Sequence, residues 1–326
     1  MSYRRFFLIR LVQALFAMWL VATLVFVMFF VLLPKPARNL AGGRQATPSM
    51  IERVSEELHL DTPLHEQYAW YMWRLFAHQT AGGSPAFANP NALEKTKPLP
   101  DTGAIARQAI PPTLSVVILT LIVSLGVGGL AGFALARTPW RRAYGLPIYV
   151  AVGLLPVWVG LELSYYLGVR WDVVPIGNYC NFFASSGESC GGPVNWIKHL
   201  ILPVVTLSLA FAAVYTRMIR AELMRATSDD ERRRGLLLFL ARVAAFDFGA
   251  LIGLSLFVEV TFQIPGLGRL MLVSYQAQAL VLMQSVVLYA AFLGIAASFL
   301  VDALVAALDS DVRDEWRFVA RPRRAT

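Results

Sequence analysis

The sequence predicts an all-α polytopic membrane protein with six transmembrane helices, both termini cytoplasmic, and a helical external segment after the first span. Three observations carry that reading. Hydrophobic residues make up 57% of the 326-residue chain and charged residues only 15%, the balance of a polytopic membrane protein rather than a water-soluble one. Long apolar runs cover Phe6–Leu33, Ile110–Ala136, Leu146–Leu167, Leu200–Tyr215, Leu236–Phe262 and Leu280–Leu308, and a bilayer core about 30 Å thick needs about 20 apolar residues per helix. Basic clusters fall on alternate connections: Arg4/Arg5, Arg137/Arg141/Arg142, Arg217 through Arg234, and the tail from Arg313 to Arg324. Positive charge marks the cytoplasmic side of short loops, so both ends are cytoplasmic and the span count is even.

The chain then divides into an N-terminal span over 1–33, an external segment over 34–110, a five-helix core over 111–309 and a cytoplasmic tail over 310–326. Arg4, Arg5 and Arg10 resemble the basic region of a secretion signal. The apolar stretch behind them is longer than a signal core, and no small-x-small cleavage site closes it. It reads as an uncleaved span. In the external segment, Thr47-Pro48 marks a helix start with proline at the first position. Ile51, Val54 and Leu58 follow at helical spacing. Thr62-Pro63 starts a second helix, whose stripe is Leu64, Tyr68, Met72 and Leu75/Phe76. Tyr68, Trp70, Tyr71, Trp73 and Phe76 make that helix strongly aromatic. It is either a lid or partner dock, or an interfacial helix at headgroup level, where Trp and Tyr collect. Gly82–Pro100 reads as loop.

Cys180 and Cys190 are the two cysteines of the chain, and they share one external loop. An oxidising exterior joins them as a disulfide; two idle thiols are the alternative. Closing so short a loop stabilises by roughly 2–3 kcal/mol in the chain-entropy view.

The net charge of +8 does not point to nucleic acid, because the arginines flank apolar runs as topology signals. There is no P-loop with which to hold ATP. Gly126-Val127-Gly128-Gly129 lies inside a span, and Gly128, Gly132 and Ala136 form a small-residue stripe for helix packing, as do Gly249 and Gly253. His-Glu-x-x-His does not occur. His59, His65, His78 and His199 are scattered, so no metal site is expected, and His199 reads as interfacial. Within the spans, Glu162, Arg242, Asp247, Glu259 and Asp302 are ionisable. Arg242 marks a cytoplasmic span start. Glu259 and Asp302 lie near span ends, where exposure is cheap. Glu162 and Asp247 lie deeper and are the translocation-path candidates; buried hydrogen bonds between helices are the alternative. No nucleophile–base or metal constellation marks an enzyme.

Four stretches, in order, match one pattern. Glu57-Leu58-His59-Leu60-Asp61-Thr62-Pro63-Leu64, continuing to Gln67-Tyr68-Ala69-Trp70, resembles the stretch that follows the first span of dipeptide/oligopeptide/nickel ABC importer permeases. His199-Leu200-Ile201-Leu202-Pro203, with Thr206-Leu207, is similar to a second motif of that family. Val258-Glu259-Val260-Thr261-Phe262 with Pro265-Gly266-Leu267-Gly268-Arg269-Leu270 is similar to a third, and Asp302 through Arg313 to the closing one, with Ser310 and Asp311 as departures.

The resemblance implies a permease of the bacterial inner membrane. It implies pairing with a second homologous permease, two cytoplasmic ATPase subunits that bind ATP and Mg, and an external substrate-binding protein, with no cofactor on this chain. Such permeases seat a short helix of the loop after the fourth span on the ATPase. Here that coupling role falls to 217–235, with Glu222, Arg225, Ala226, Ser228, Glu231, Arg232, Arg233, Arg234 and Gly235 as its candidates. The segment is short and lacks the family's Ala-Lys-Gly core; Ser228-x-x-Glu231 keeps capping-box spacing. A solvated charged turn is the alternative there. The competing reading of the whole chain is a non-transporting membrane scaffold derived from such a permease.

Overall fold

The computed structural model describes residues 3–33, 36–41, 46–76, 102–137, 156–183, 190–225, 229–277 and 279–308. They are almost entirely helical. Among them no β-strand forms, and a lone bridge joins Asn181 to Gly191. The helices are α1 (Tyr3–Phe26), α2 (Pro36–Leu40), α3 (Pro48–Glu57), α4 (Leu64–Phe76), α5 (Thr102–Gln108), α6 (Ile110–Ala136), α7 (Pro156–Leu163), α8 (Pro193–Arg225), α9 (Asp229–Thr261), α10 (Leu267–Gln276) and α11 (Leu280–Leu308). Widened π turns extend α1 through Val31 and α7 through Arg170.

Four stretches among the described residues are long and apolar enough to cross a membrane: Arg5–Val31, Thr102–Ala136, Pro193–Met224 and Leu280–Ala303. They correspond to the first, second, fourth and sixth apolar runs. The third run is described only from Pro156 onward. The fifth lies in α9, whose 33 residues span roughly 50 Å at the helical rise but carry Asp247 and Glu259. Apolar side chains cover the outside of these helices, including Leu8, Val12, Leu15, Phe16, Leu130 and Phe246, as lipid contact requires. Hydroxyls are turned inward onto their own helix: Thr206 Oγ1 donates to Leu202 O and Thr216 Oγ1 to Ala212 O, both at 2.7 Å. With no water in hydrocarbon, such back-bonding is how a span keeps its polar atoms paired.

The helices gather into two compact units. One comprises Ala17–Thr113 and Pro265–Phe292. Its core joins Ala22, Val25, Phe26, Phe29 and Phe30 of α1 and its π turn to Val54, Leu58, Tyr71, Val281 and Leu288. α3 starts as the sequence indicates: Pro48 occupies the first turn and Thr47 Oγ1 accepts from Met50 N at 3.4 Å. α4 begins after Pro63. Gln67 is buried, and its Nε2 donates to the carbonyls of Leu60 at 3.0 Å and Thr62 at 2.7 Å. That pair of bonds fixes the angle between α3 and α4. Of the expected stripe on α4, Tyr68, Met72 and Leu75 pack against this core, whereas Leu64 is exposed and Tyr71, at 3% exposure, is the buried residue. The Tyr68 ring meets Phe26 edge-on at 5.2 Å, and Tyr71 lies 5.4 Å from Phe26 and 5.8 Å from Phe30. Burial, then the nearby Tyr68, push the Tyr71 phenol far above its ordinary range. α4 is thus seated on the end of α1, with Trp73 left outward. In the same unit the Thr102 and Ser285 hydroxyls pair at 2.9 Å, and Thr113 Oγ1 accepts from Leu267 N at 2.8 Å. Gly266, at the head of α10, has no side chain with which to cap it, so Thr113 of α6 supplies the missing acceptor.

The other unit comprises Met1–Phe16, Leu114–Ile264 and Leu293–Thr326. Its core packs Val116 of α6 with Leu200, Leu202, Val204 and Leu207 of α8 and with Val258, Phe262 and Ile264 at the end of α9. α1 and α11 are joined at 3.1 Å by an ion pair between Arg10 Nη1 and Asp302 Oδ2, both partly buried. Phe7 and Phe299 meet edge-on at 5.2 Å in the same unit. Glu259, expected to be exposed near a span end, is instead completely buried, because residues 258–264 turn back into the core and Ile264 N donates to Glu259 O at 2.9 Å.

Candidate functional site

α6, α8 and α9 build the centre of the second-described unit, and close approach is what places their polar groups. A Cβ on Gly128 would lie 2.6 Å from Tyr215 Cβ and 2.9 Å from Ala212 O. A Cβ on Gly132 would lie 2.9 Å from Thr216 O. Only glycine lets α6 touch α8 at this range, the usual use of small residues in membrane helices. Tyr215 is fully buried by that contact. Its hydroxyl donates to Asp247 Oδ2 at 2.5 Å, linking α8 to α9. Charge-assisted bonds of this kind are roughly twice as strong as neutral ones. Asp247 is therefore held by a specific partner. Glu162, half-buried on α7, has no side-chain hydrogen bond with a described residue. A Cβ on Gly249 or Gly253 would meet nothing within 4 Å, while one on Gly294 of α11 would stand 3.8 Å from Gly249 Cα.

The segment singled out for coupling is the tip of the α8/α9 hairpin. Glu222 and Arg225 lie in the last turns of α8, and Glu231 through Gly235 lie in the first turns of α9. Helix therefore runs through most of what reads as loop in the sequence. Glu222 approaches Gly235, where an added Cβ would lie 3.0 Å from Glu222 Oε1. Tyr215, Ile219 and Leu223 pack with Leu236, Leu240 and Val243 just behind the tip. Ala226 and Ser228 lie outside the described residues, as do the side chains of Arg225 and Glu231–Arg234.

A second cluster sits in the connection from the α7 π turn to α8. Cys180 and Cys190 form a disulfide with their Cα atoms 5.2 Å apart, within the usual range. The connection is anchored along its length. Asn178 N donates to Phe262 O at 3.1 Å, and Gly192 N to Asn181 O at 3.1 Å. Gly192 has φ +95°, a left-handed turn that glycine enters at little cost. Tyr179 OH lies 3.2 Å from Ser115 Oγ and accepts from Trp196 Nε1 at 3.2 Å. His199, one turn into α8 from Asn195, stands 3.2 Å from Cys180 Sγ through Nδ1. It is packed against the disulfide. Sequence reasoning missed Tyr215 as the partner of Asp247, Arg10 as the partner of Asp302, and His199 as the neighbour of the cysteines. The charges stood out in their apolar runs, but nothing in the linear pattern said which residue each would meet.

Two family models match the chain. Residues 3–98 match the N-terminal membrane component of binding-protein-dependent transport systems, and residues 230–314 match the inner membrane component of the same systems. A chain named as a putative peptide transport system permease in Brucella abortus (strain 2308) is 29% identical over 325 residues, covering 93% of this chain and 97% of that one. The glutathione transport system permease protein GsiC of Pectobacterium atrosepticum is 28% identical, covering 94% and 98%. GsiC of Escherichia coli (strain K12) is 27% identical, covering 93% and 97%. The similarity to these relatives covers more than nine-tenths of the chain, and the chain belongs to the ABC importer permeases of the peptide/oligopeptide family.

Proposed function

We propose that this chain is one permease subunit of an ATP-driven importer of peptides or similar small solutes in the bacterial inner membrane. On this reading it crosses the bilayer six times with both termini cytoplasmic. It forms the path with a second homologous permease. Two cytoplasmic ATPase subunits bind ATP and Mg, and an external binding protein delivers substrate. The observation that carries the reading is the end-to-end similarity to permeases named for peptide and glutathione transport. The physics agrees with it: a helical bundle without a nucleotide loop borrows its free energy, and rocking between two access states is how such bundles move solute. Tyr215–Asp247 is the polar contact most suited to a moving path, because it ties two helices of one hairpin by a single bond. The α8/α9 tip is the part offered to the ATPases.

The test is uptake into vesicles reconstituted with the neighbouring subunits, with and without ATP, across a panel of short peptides. ATP-dependent uptake of at least one peptide supports the proposal; uptake by this chain alone, without ATPases, overturns it. Asp247→Asn removes the charge but still accepts from Tyr215, whereas Tyr215→Phe removes the donor. Each is expected to lower uptake several-fold while membrane levels stay within about twofold. Unchanged kinetics in both would take Asp247 out of the path, and Glu162→Gln asks the same of Glu162.

The scaffold reading is favoured by one observation. The described residues of the coupling segment continue the long helices α8 and α9 rather than form a separate short helix. Pull-down with the ATPase pair separates the two: stable association with substrate-stimulated ATP hydrolysis supports transport, and no association supports the scaffold.

A further inference from the structure

We propose that Cys180, Cys190 and His199 form a redox-gated site for a thiophilic divalent cation of the zinc class, closed while the disulfide stands and opened by its reduction. Their ligand atoms all lie within 4.8 Å of one another. Cysteine thiolates and imidazole are the donor set that takes zinc.

A hydrogen bond fixes which nitrogen of the histidine is left to bind. His199 Nδ1 lies 2.8 Å from Asn195 O. A carbonyl can only accept, so Nδ1 carries the proton and Nε2 keeps the lone pair. A backbone carbonyl on the far nitrogen is the usual support of a metal-bound histidine. Nε2 lies 3.7 Å from Cys180 Sγ. Zinc–sulfur bonds near 2.3 Å and zinc–nitrogen bonds of 2.0–2.1 Å place two tetrahedral ligands about 3.6 Å apart. In the disulfide state that sulfur lies nearer to Nδ1, at 3.2 Å, so once reduction frees it the Cys180 side chain turns toward the Nε2 lone pair to share a cation.

The backbone holds the cysteines together independently of their bond. Asn181 and Gly191 form a bridge, Gly192 N donates to Asn181 O at 3.1 Å, and Asn195 Nδ2 donates to Gly191 O at 3.3 Å. Reduction therefore leaves two thiols side by side beside the imidazole. Cys180 is buried at 1% exposure, while Cys190 and His199 are half-buried, so a cation enters from the Cys190 side. Three protein ligands leave the fourth position for water or an exchangeable ligand.

The chemistry balances with a small monothiol as reductant. One thiolate attacks a disulfide sulfur, giving a mixed disulfide and one cysteine thiolate. A second thiol displaces the cysteine from it, leaving two cysteine thiols and the reductant's own disulfide. The divalent cation then displaces one proton from each thiol, and the two thiolates neutralise its charge.

The experiment titrates Zn2+ against a competing chromophoric chelator on the purified full-length protein, comparing thiol-reduced with oxidised samples. The reduced protein is expected to hold one more zinc per chain than the oxidised protein. Co2+ in its place is expected to give thiolate-to-metal charge-transfer absorption in the reduced sample only. His199→Ala is expected to weaken reduced-state binding at least about tenfold, since even supporting residues of such sites cost that much. Equal zinc content in the two redox states overturns the proposal, using only the native sequence. Full reduced-state affinity in His199→Ala overturns the assignment of the third ligand. Neither outcome bears on the transport reading, which the vesicle experiment tests separately.

Discussion

Gly128→Leu is expected to cost the protein its assembled helix core, while Gly126→Leu, two residues earlier on the same helix, leaves it near wild type. The two glycines differ in what faces them. A Cβ at Gly126 meets nothing within 4 Å, whereas one at Gly128 lies 2.6 Å from Tyr215 Cβ and 2.9 Å from Ala212 O. Those atoms belong to, or sit directly on, the backbone of α8 and cannot rotate away. A leucine there forces α6 and α8 apart along their contact. Overpacking a well-filled core costs about 1–3 kcal/mol, and the separation also removes the dispersion contacts that hold membrane helices together. Tyr215 would move with α8, so its bond to Asp247 would lengthen too. Thermal loss of the monodisperse peak in detergent, followed by size-exclusion chromatography, measures this. A clearly lower midpoint for Gly128→Leu than for Gly126→Leu is the expected result, and equal midpoints would contradict the close approach.

The second large effect is expected at Asp302. Asp302→Asn leaves Arg10 without its carboxylate inside an otherwise apolar first run. An isolated charge at the centre of a membrane helix costs about 2.5–3.5 kcal/mol on insertion scales. Both side chains here are partly exposed, at 24% and 32%, and Arg10 can snorkel toward the nearer interface, so the effect falls below that ceiling. A several-fold fall in inserted protein is expected for Asp302→Asn. Arg10→Leu strands the carboxylate in the same way. Combining Arg10→Leu with Asp302→Leu removes both charges, and apolar replacement of a buried pair is often neutral or better. The double variant is therefore expected to recover the level that each single charge-removing change loses. Losses that simply add would show that the two residues do not act as a pair.

What the sequence made legible divides along physical lines. Local rules held where the outcome is local. Thr47-Pro48 opens α3 because a hydroxyl and a fixed φ act within one turn. The apolar runs became helices wherever they are described. Face selection on α4 was less legible. Hydropathy ranks Leu64 above Tyr71 for burial, yet Tyr71 is the buried one. Gln67 sets the helix's rotation through two backbone carbonyls, and the rings of Phe26 and Phe30 then receive tyrosine. Pairings across the chain were not legible. Asp247 was visible as a charge in a span, but Tyr215 is one of many tyrosines until α6 presses α8 against α9. His199 likewise acquires meaning only when the loop anchored on Phe262 and Asn181 returns the cysteines to it.

The Thr113–Leu267 bond has a temporal consequence. A ribosome delivers a chain from its first residue to its last, and units complete themselves in that direction. Thr113 is made long before Leu267 needs an acceptor. The late turn is born beside its ready-made receptor, and a truncated product that stops short of residue 265 loses a tenant rather than a foundation.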